Sequence, residues 1–297
     1  MTLNELTLKD KKIFLRYLNL TRHELCVFSF ENIYIWKPLF DIRWKVIQGR
    51  LCVFFKDNIG CFMYLPPLGV PVSAQLIEEV FSLMDGLNSN PEVSRIENIE
   101  EKDAQIYRKL GLTVREKYSD YLCLRADLAG LAGNKFKSQR ASYNYFTKHY
   151  PFSSAAFSVK HIPQCRKLFA LWSGQRKSQH DDPMYLGMLE DSQRVLKQIF
   201  SSYKKLCFQG IVVKTHGRIS GFTFGFKLNS DTFCIVYEIT DLSVKGLAQF
   251  IFRAFCQKLQ GFKYINIMDD SGLENLKKTK LAYHPAKLIP GYIATRA

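Results

Sequence analysis

Apolar residues at Leu76, Ile77, Val80, Phe81 and Met84 recur at helical spacing and predict an amphipathic helix. Ahead of it, Ile42–Ile47 and Leu51–Phe55 read as strands joined by a turn at Gln48-Gly49. A third extended run, Gly60–Leu65, ends at Pro66-Pro67. A helix over about Lys9–Leu20 opens the chain. After residue 90 come strand material at Ser94–Ile99, a helix over Glu101–Leu110 stopped by Gly111, and strand material at Val114–Leu124.

The second half runs through a similar order. A turn over Leu128–Gly133 leads into a basic helix that places Phe136, Tyr143 and Phe146 on one face, with Arg140 in the middle of that face. Helical patterns follow at Gln164–Gln175 and Met188–Tyr203. Gly210–Thr215 and Arg218–Phe226 form a hairpin about His216-Gly217. Thr232–Glu238 is a further strand, Gly246–Leu259 a helix, and Lys263–Met268 the last strand of the pattern. Both halves therefore carry helices, an antiparallel meander, a helix and a further strand. This is an α+β, or mixed α/β, order without strict βαβ alternation. A chain of 297 residues predicts two domains, here residues 1–130 and 131–297, duplicated in pattern.

Composition adds charge. Lys and Arg number 42 against 27 acidic residues, a net +15 that favours anionic partners: tRNA, an acidic membrane surface or a phosphorylated cofactor. The cations are dispersed, and no duplex-DNA or RNA-recognition signature is visible. Eight cysteines occur singly with no CxxC pair, so they read as buried apolar residues in a reducing compartment, and no metal site is expected. The opening residues lack a signal-peptide layout and no apolar run reaches transmembrane length. A cytoplasmic protein, peripheral to a membrane at most, is the expectation.

Several residues invite chemistry. A guanidinium on an apolar stripe, as at Arg140, needs an anionic ligand or an internal carboxylate. Glu238, sharing a strand face with Cys234 and Val236 if alternation holds, is placed either for general-base work or for pairing with a lysine. Asp269-Asp270 can orient an acceptor amine or cap the following helix. Lys277, Lys278 and Lys280 with His284 suit phosphates or a solvated face, and His180-Asp181-Asp182 reads as a polar loop.

Taken in order, certain segments resemble a known family. They are Asn32–Trp36, Leu65-Pro-Pro-Leu-Gly69, Asp127–Gly133 with Lys135 and Arg140, Gly217–Gly225, Leu228–Thr232, Glu238, Asn266 with Asp269-Asp270, and Gly272–Pro285. The chain is similar to the DUF2156 family, the C-terminal catalytic domain of phosphatidylglycerol lysyltransferases. The resemblance implies two tandem GNAT-like acyltransferase domains related to Fem-type aminoacyl ligases. It implies a donor, acyl-CoA or aminoacyl-tRNA, and no permanently bound cofactor. Ser243, Lys245, Gly246 and Ala248, where a helix opens after a strand, correspond to the loop that aims amides at a donor diphosphate. Glu238 and Asp269 take the catalytic positions, while Lys135, Arg140 and Asn266 take substrate-binding ones.

The chain departs from the family pattern at Phe226, where relatives carry Glu, and at Met268 within the segment ending Asp269-Asp270. Two functions follow. One is acyl or aminoacyl transfer to an amine or hydroxyl, with a lipid headgroup among the acceptors. The other is a non-catalytic binding protein of the same fold that holds an anionic ligand in a basic cleft.

Overall fold

The computed structural model describes residues 2–69 and 71–296. They divide into two units. The first comprises residues 1–120, 269–272 and 288–297, and the second residues 121–268 and 273–287. The expected boundary at 130/131 thus shifts to 120/121. The C-terminal strand belongs with the first unit because it pairs there, Gly291 opposite Glu100 and Tyr292 opposite Ile99.

The first unit holds β1 (Asn4–Glu5), α1 (Lys11–Leu18), α2 (Phe30–Ile35), β2 (Asp41–Ile47), β3 (Arg50–Lys56) and β4 (Cys61–Met63). Next come α3 (Ala74–Asp85), β5 (Ile96–Glu100), α4 (Glu101–Lys109) and β6 (Thr113–Leu124), whose last four residues enter the second unit. The strand order is β1-β2-β3-β4-β5, closed by the C-terminal strand described below. All pairs are antiparallel except β4 with β5. Gln48 and Gly49 both hold positive φ, as a two-residue hairpin requires. The predicted helical stripe is α3, which buries Leu76, Ile77, Val80, Phe81 and Met84 against the sheet. Ser73 caps it by accepting from Leu76 N.

The second unit contains α5 (Arg125–Gly130), α6 (Lys137–His149), β7 (Phe152–Ala156), α7 (Ile162–Lys177), α8 (Pro183–Ser202) and β8 (Gln209–Thr215). It continues with β9 (Arg218–Lys227), β10 (Thr232–Thr240), α9 (Leu247–Lys258), β11 (Tyr264–Asn266) and α10 (Glu274–Leu281). Its strand order is β7-β8-β9-β10-β11-β6, antiparallel except for β10 with β11. The chain ends with β12 (Lys287–Thr295), the strand that closes the first unit. Sequence patterning missed β12 and treated Lys263–Met268 as the last strand. Pro290 and Gly291 interrupt its alternation, and its register shifts between Tyr292 and Ala294.

The two units share one topology: a four-strand meander, a helix, a parallel fifth strand and an antiparallel sixth. The fold is mixed α+β with mostly antiparallel pairing. In the second unit α9 and α6 cover one sheet face, where Phe146 meets Phe250 at 4.7 Å between ring centroids. Phe157, Phe200, Phe222 and Phe224 fill the opposite face beneath α8. All eight cysteines are free thiols, seven of them buried.

Candidate functional site

The environment of Glu238 is built by β10, α9 and the chain after α10. A β-bulge between Ile235 and Tyr237 shifts the register, so Glu238 pairs with Thr223 and Tyr237 with Phe224. Glu238 therefore lies on the α9 face with Phe233 and Ile235, opposite Cys234. The same face at Gly221 meets the α9 side chains Leu247 and Ile251. The expected shared face with Cys234 fails because a bulge adds one residue to the alternation. Phe226 pairs with Cys234 and packs on Phe208, so it belongs to the aromatic core of the other face and does not line the Glu238 environment.

Among the described residues Glu238 has no lysine partner. Its Oε2 is sealed from solvent and accepts no hydrogen bond, although the residue as a whole is only half-buried. Burial without compensation pushes its carboxyl up to about 8. The Cys256 thiol and the Tyr283 hydroxyl are raised too, first by their own burial and then by the Glu238 charge. Glu238 thus sits among apolar and weakly acidic groups.

The loop before α9 is more occupied than its sequence suggests. Gly246 is the N-cap of α9 at φ +82°, and a Cβ there would lie 2.1 Å from Ser142 O of α6. Only glycine permits this approach of the two helices. Asp241 Oδ1 accepts from Ser243 N at 3.0 Å and from Ser243 Oγ at 2.6 Å. Burial raises the Asp241 carboxyl, but these bonds, Gln175 and the Arg218 charge hold it below its ordinary value. Asp241 thus already occupies both the amide and the hydroxyl of Ser243. Lys245 lies over the Tyr145 ring at 4.6 Å, and Ala248 falls in the first turn of α9.

Arg140 does not meet a carboxylate among the described residues. Its Nη1 donates to Leu131 O and, at 2.5 Å, to Gly133 O. Leu131 holds φ +53°, left-handed for a leucine, at the end of α5. Arg253 completes the clasp from α9, donating to Ala129 O at 2.9 Å and stacking on Tyr143 at 4.3 Å. The costly guanidinium is thus answered by backbone carbonyls at a helix C-terminus, the end that attracts cations. Lys135 pairs with Asp127 at 2.7 Å and is 47% exposed.

Asn266 is buried and turns back on its own strand end, its Oδ1 accepting from Met268 N at 2.7 Å. Asp269 accepts from Ser271 N at 2.8 Å, and Asp270 from Gly272 N at 2.9 Å. Both aspartates make local turns. Neither caps α10, whose N-cap is Leu273 with no side-chain bond. Lys280 donates to Ile267 O at 2.6 Å, and His284 Nε2 lies 2.8 Å from Lys135 O. Sequence reasoning overlooked Asp241 and Arg253. An Asp two residues before Ser243 was a readable turn signal, whereas Arg253 looked like any polar residue on a surface helix. Among the described residues no group of three His, Cys, Asp or Glu side chains could hold a metal ion, and no helix is long and apolar enough to cross a membrane.

This architecture is shared by solved structures of GNAT type. A tandem GNAT protein from the clavulanic acid biosynthesis pathway superposes with a TM-score of 0.55 at 9% identity, covering 98% of this chain and 97% of that one. The family is shown by a model that spans residues 19–295: the chain belongs to the family described as phosphatidylglycerol lysyltransferase, C-terminal. A conserved protein of unknown function from Bacteroides thetaiotaomicron VPI-5482 is 24% identical over the full length of both chains, with a TM-score of 0.89. L-PGS from Bacillus licheniformis is 17% identical, with 99% of this chain and 93% of that chain covered and a TM-score of 0.69. No curated protein matched the chain.

Proposed function

We propose that the protein is a GNAT-like transferase that moves an activated aminoacyl or acyl group to an amine, with Glu238 as the base. The observation that carries this reading is the buried Glu238 Oε2 on β10, which accepts no hydrogen bond; burial pushes that carboxyl up to about 8, into the range useful to a base. In the step, the acceptor nitrogen bonds to the carbonyl carbon and passes its proton to Glu238. The ester or thioester bond then breaks, and that proton goes on to the departing oxygen or sulfur. The shared topology of the two units supports a tandem duplication of one GNAT-like domain, the second carrying the donor site.

Aminoacyl-tRNA is the favoured donor. Two contacts support this donor: Asp241 already accepts from Ser243 N, and Gly246 abuts Ser142 O, so both loop positions are taken by groups of the chain itself. The net charge of +15 suits a polyanion. Under this reading Lys245 and Ala248 flank the acyl end of the donor, and Asn266 and Asp269 lie toward the acceptor, a lipid headgroup at an anionic membrane surface among the candidates. Lys135 and Arg140 act through the loop they brace.

The test is transfer of a radiolabelled aminoacyl group from charged tRNA, run beside acetyl-CoA, to amine acceptors. Glu238→Gln should retain donor affinity and lose turnover about 100-fold or more. Turnover unchanged by Glu238→Gln refutes the assignment. Salt-insensitive tRNA binding refutes the donor.

A further inference from the structure

The sheet of the second unit ends in a strand that the fold leaves open. β7 is the last member of the strand order and pairs only with β8. All five of its residues are exposed. The edge strand of the first unit, β1, is handled differently: it is two residues long and carries Glu5, which pairs with Lys37. β7 has no charge, no proline and no bulge, the devices that keep a free edge from pairing.

The register decides which groups face outward. Phe157 N donates to Gly210 O at 2.8 Å, so these two residues form a hydrogen-bonded pair. In an antiparallel ladder such pairs recur at every second residue. Ser153 and Ala155 therefore bond to Lys214 and Val212, while the amides and carbonyls of Phe152, Ser154 and Ala156 point away from the sheet. Among the described residues no partner meets them. The row stops at Ser158, whose N–H donates to His161 Nδ1 at 3.1 Å.

The two faces of this edge differ. Ile211 and Val213 belong to the apolar cluster under α9, so Lys214 and the Ser153 opposite it lie on the other face. On the α9 face Phe152 is 41% exposed and rests on Phe146 and Phe250, with ring centroids 5.2 and 4.6 Å away. Charge around the strand has one sign. Residues 128–180, which include β7, contain nine Lys or Arg and no Asp or Glu. Residues 192–230, which include β8 and β9, contain seven and again none. Lys148 and Lys160 flank β7, and neither they nor Lys214 have an acidic partner among the described residues.

We propose that β7 receives an extended acidic segment of a partner protein as a further antiparallel strand, bonded at Phe152, Ser154 and Ala156. The segment's carboxylates lie on the Lys214 face and its apolar side chains beside Phe152. The backbone ladder selects a polypeptide over other polyanions, and the surrounding cations select its charge. The site uses neither Glu238 nor the loop before α9, and it stands whether or not the transfer reading holds.

The experiment titrates the full chain with an eight-residue peptide of alternating Glu and Val. Binding should be saturable and weaken with added salt. In the antiparallel ladder the valines, on the Phe152 face, turn their own amides toward β7. N-methylating them should weaken binding about tenfold or more, as should replacing every Glu by Lys. Ser154→Pro removes an outward N–H without touching the β8 ladder and should cost about as much. In the unmodified protein, saturating peptide should slow amide exchange at Phe152, Ser154 and Ala156 about tenfold or more, with a smaller change at Ser153 and Ala155. That pattern reads the contact even if the variant fails to fold. No saturable binding, equal affinity for the Lys or the N-methylated peptide, an unchanged affinity in folded Ser154→Pro, or unchanged exchange at the three outward amides would each overturn the site. A dimer whose three outward amides are already protected without peptide would overturn it too, since a second copy would then fill the edge.

Discussion

Replacing Glu238 by Gln should flatten the pH dependence of stability between pH 5 and pH 9. The carboxyl is raised from an ordinary 4.5 to about 8 by burial. In the folded protein it keeps its proton through a range in which the unfolded chain has lost it. Stability is therefore greatest below about pH 4.5 and falls as pH rises toward 8, since the native state binds more protons than the unfolded state. At about 1.4 kcal/mol per pH unit, the full interval corresponds to about 5 kcal/mol. Relaxation around the ionised group reduces that to a few kcal/mol, still a sizeable share of a typical folding free energy. Urea unfolding at each pH supplies the assay, with the midpoint of Glu238→Gln subtracted from that of the parent. Titration of other groups, including the lowered His161, cancels in that difference. Parallel curves for the two proteins would refute the argument that Glu238 is desolvated and unpaired.

Arg140→Ala should lower stability by about 2–3 kcal/mol in chemical denaturation, because Leu131 O and Gly133 O lose a charged donor. Gly246→Ala should cost several kcal/mol and lower the melting temperature markedly, since its Cβ would lie 2.1 Å from Ser142 O at a φ unsuited to alanine. Glu100 behaves oppositely to Glu238. Burial raises its carboxyl, but the His23 bond, Lys102 and the Glu24 amide overcome this and hold it at about 2. Its stabilisation, about 3 kcal/mol, is present above pH 4.5 and lost as pH falls toward 2. Acid unfolding of Glu100→Gln should show a correspondingly weaker dependence over that range.

Much of the architecture was legible from periodicity. Leu76 to Met84 fixed α3 because one stripe faces one sheet, and the Gln48-Gly49 and His216-Gly217 turns marked two hairpins. The mixed α+β class followed from the same order of elements. Side-chain partners were less accessible. Arg140 stood out as an anomalous charge, yet nothing local said that two carbonyls from seven and nine residues back would answer it. The face of Glu238 was misjudged because a bulge leaves no clear mark in Cys234–Glu238.

The closing strands have a practical corollary for dissecting the molecule. β6 precedes the second unit in sequence but ends in it, and β12 follows the second unit but completes the first. Cutting between residues 130 and 131 would give one fragment missing its final ladder and another missing the segment that flanks β11. Each half would present a bare row of amides and carbonyls to solvent, a surface prone to self-association. Splitting the polypeptide there should yield aggregates when the pieces are expressed apart and a folded product when they are expressed together, so the two units share a single fate during folding.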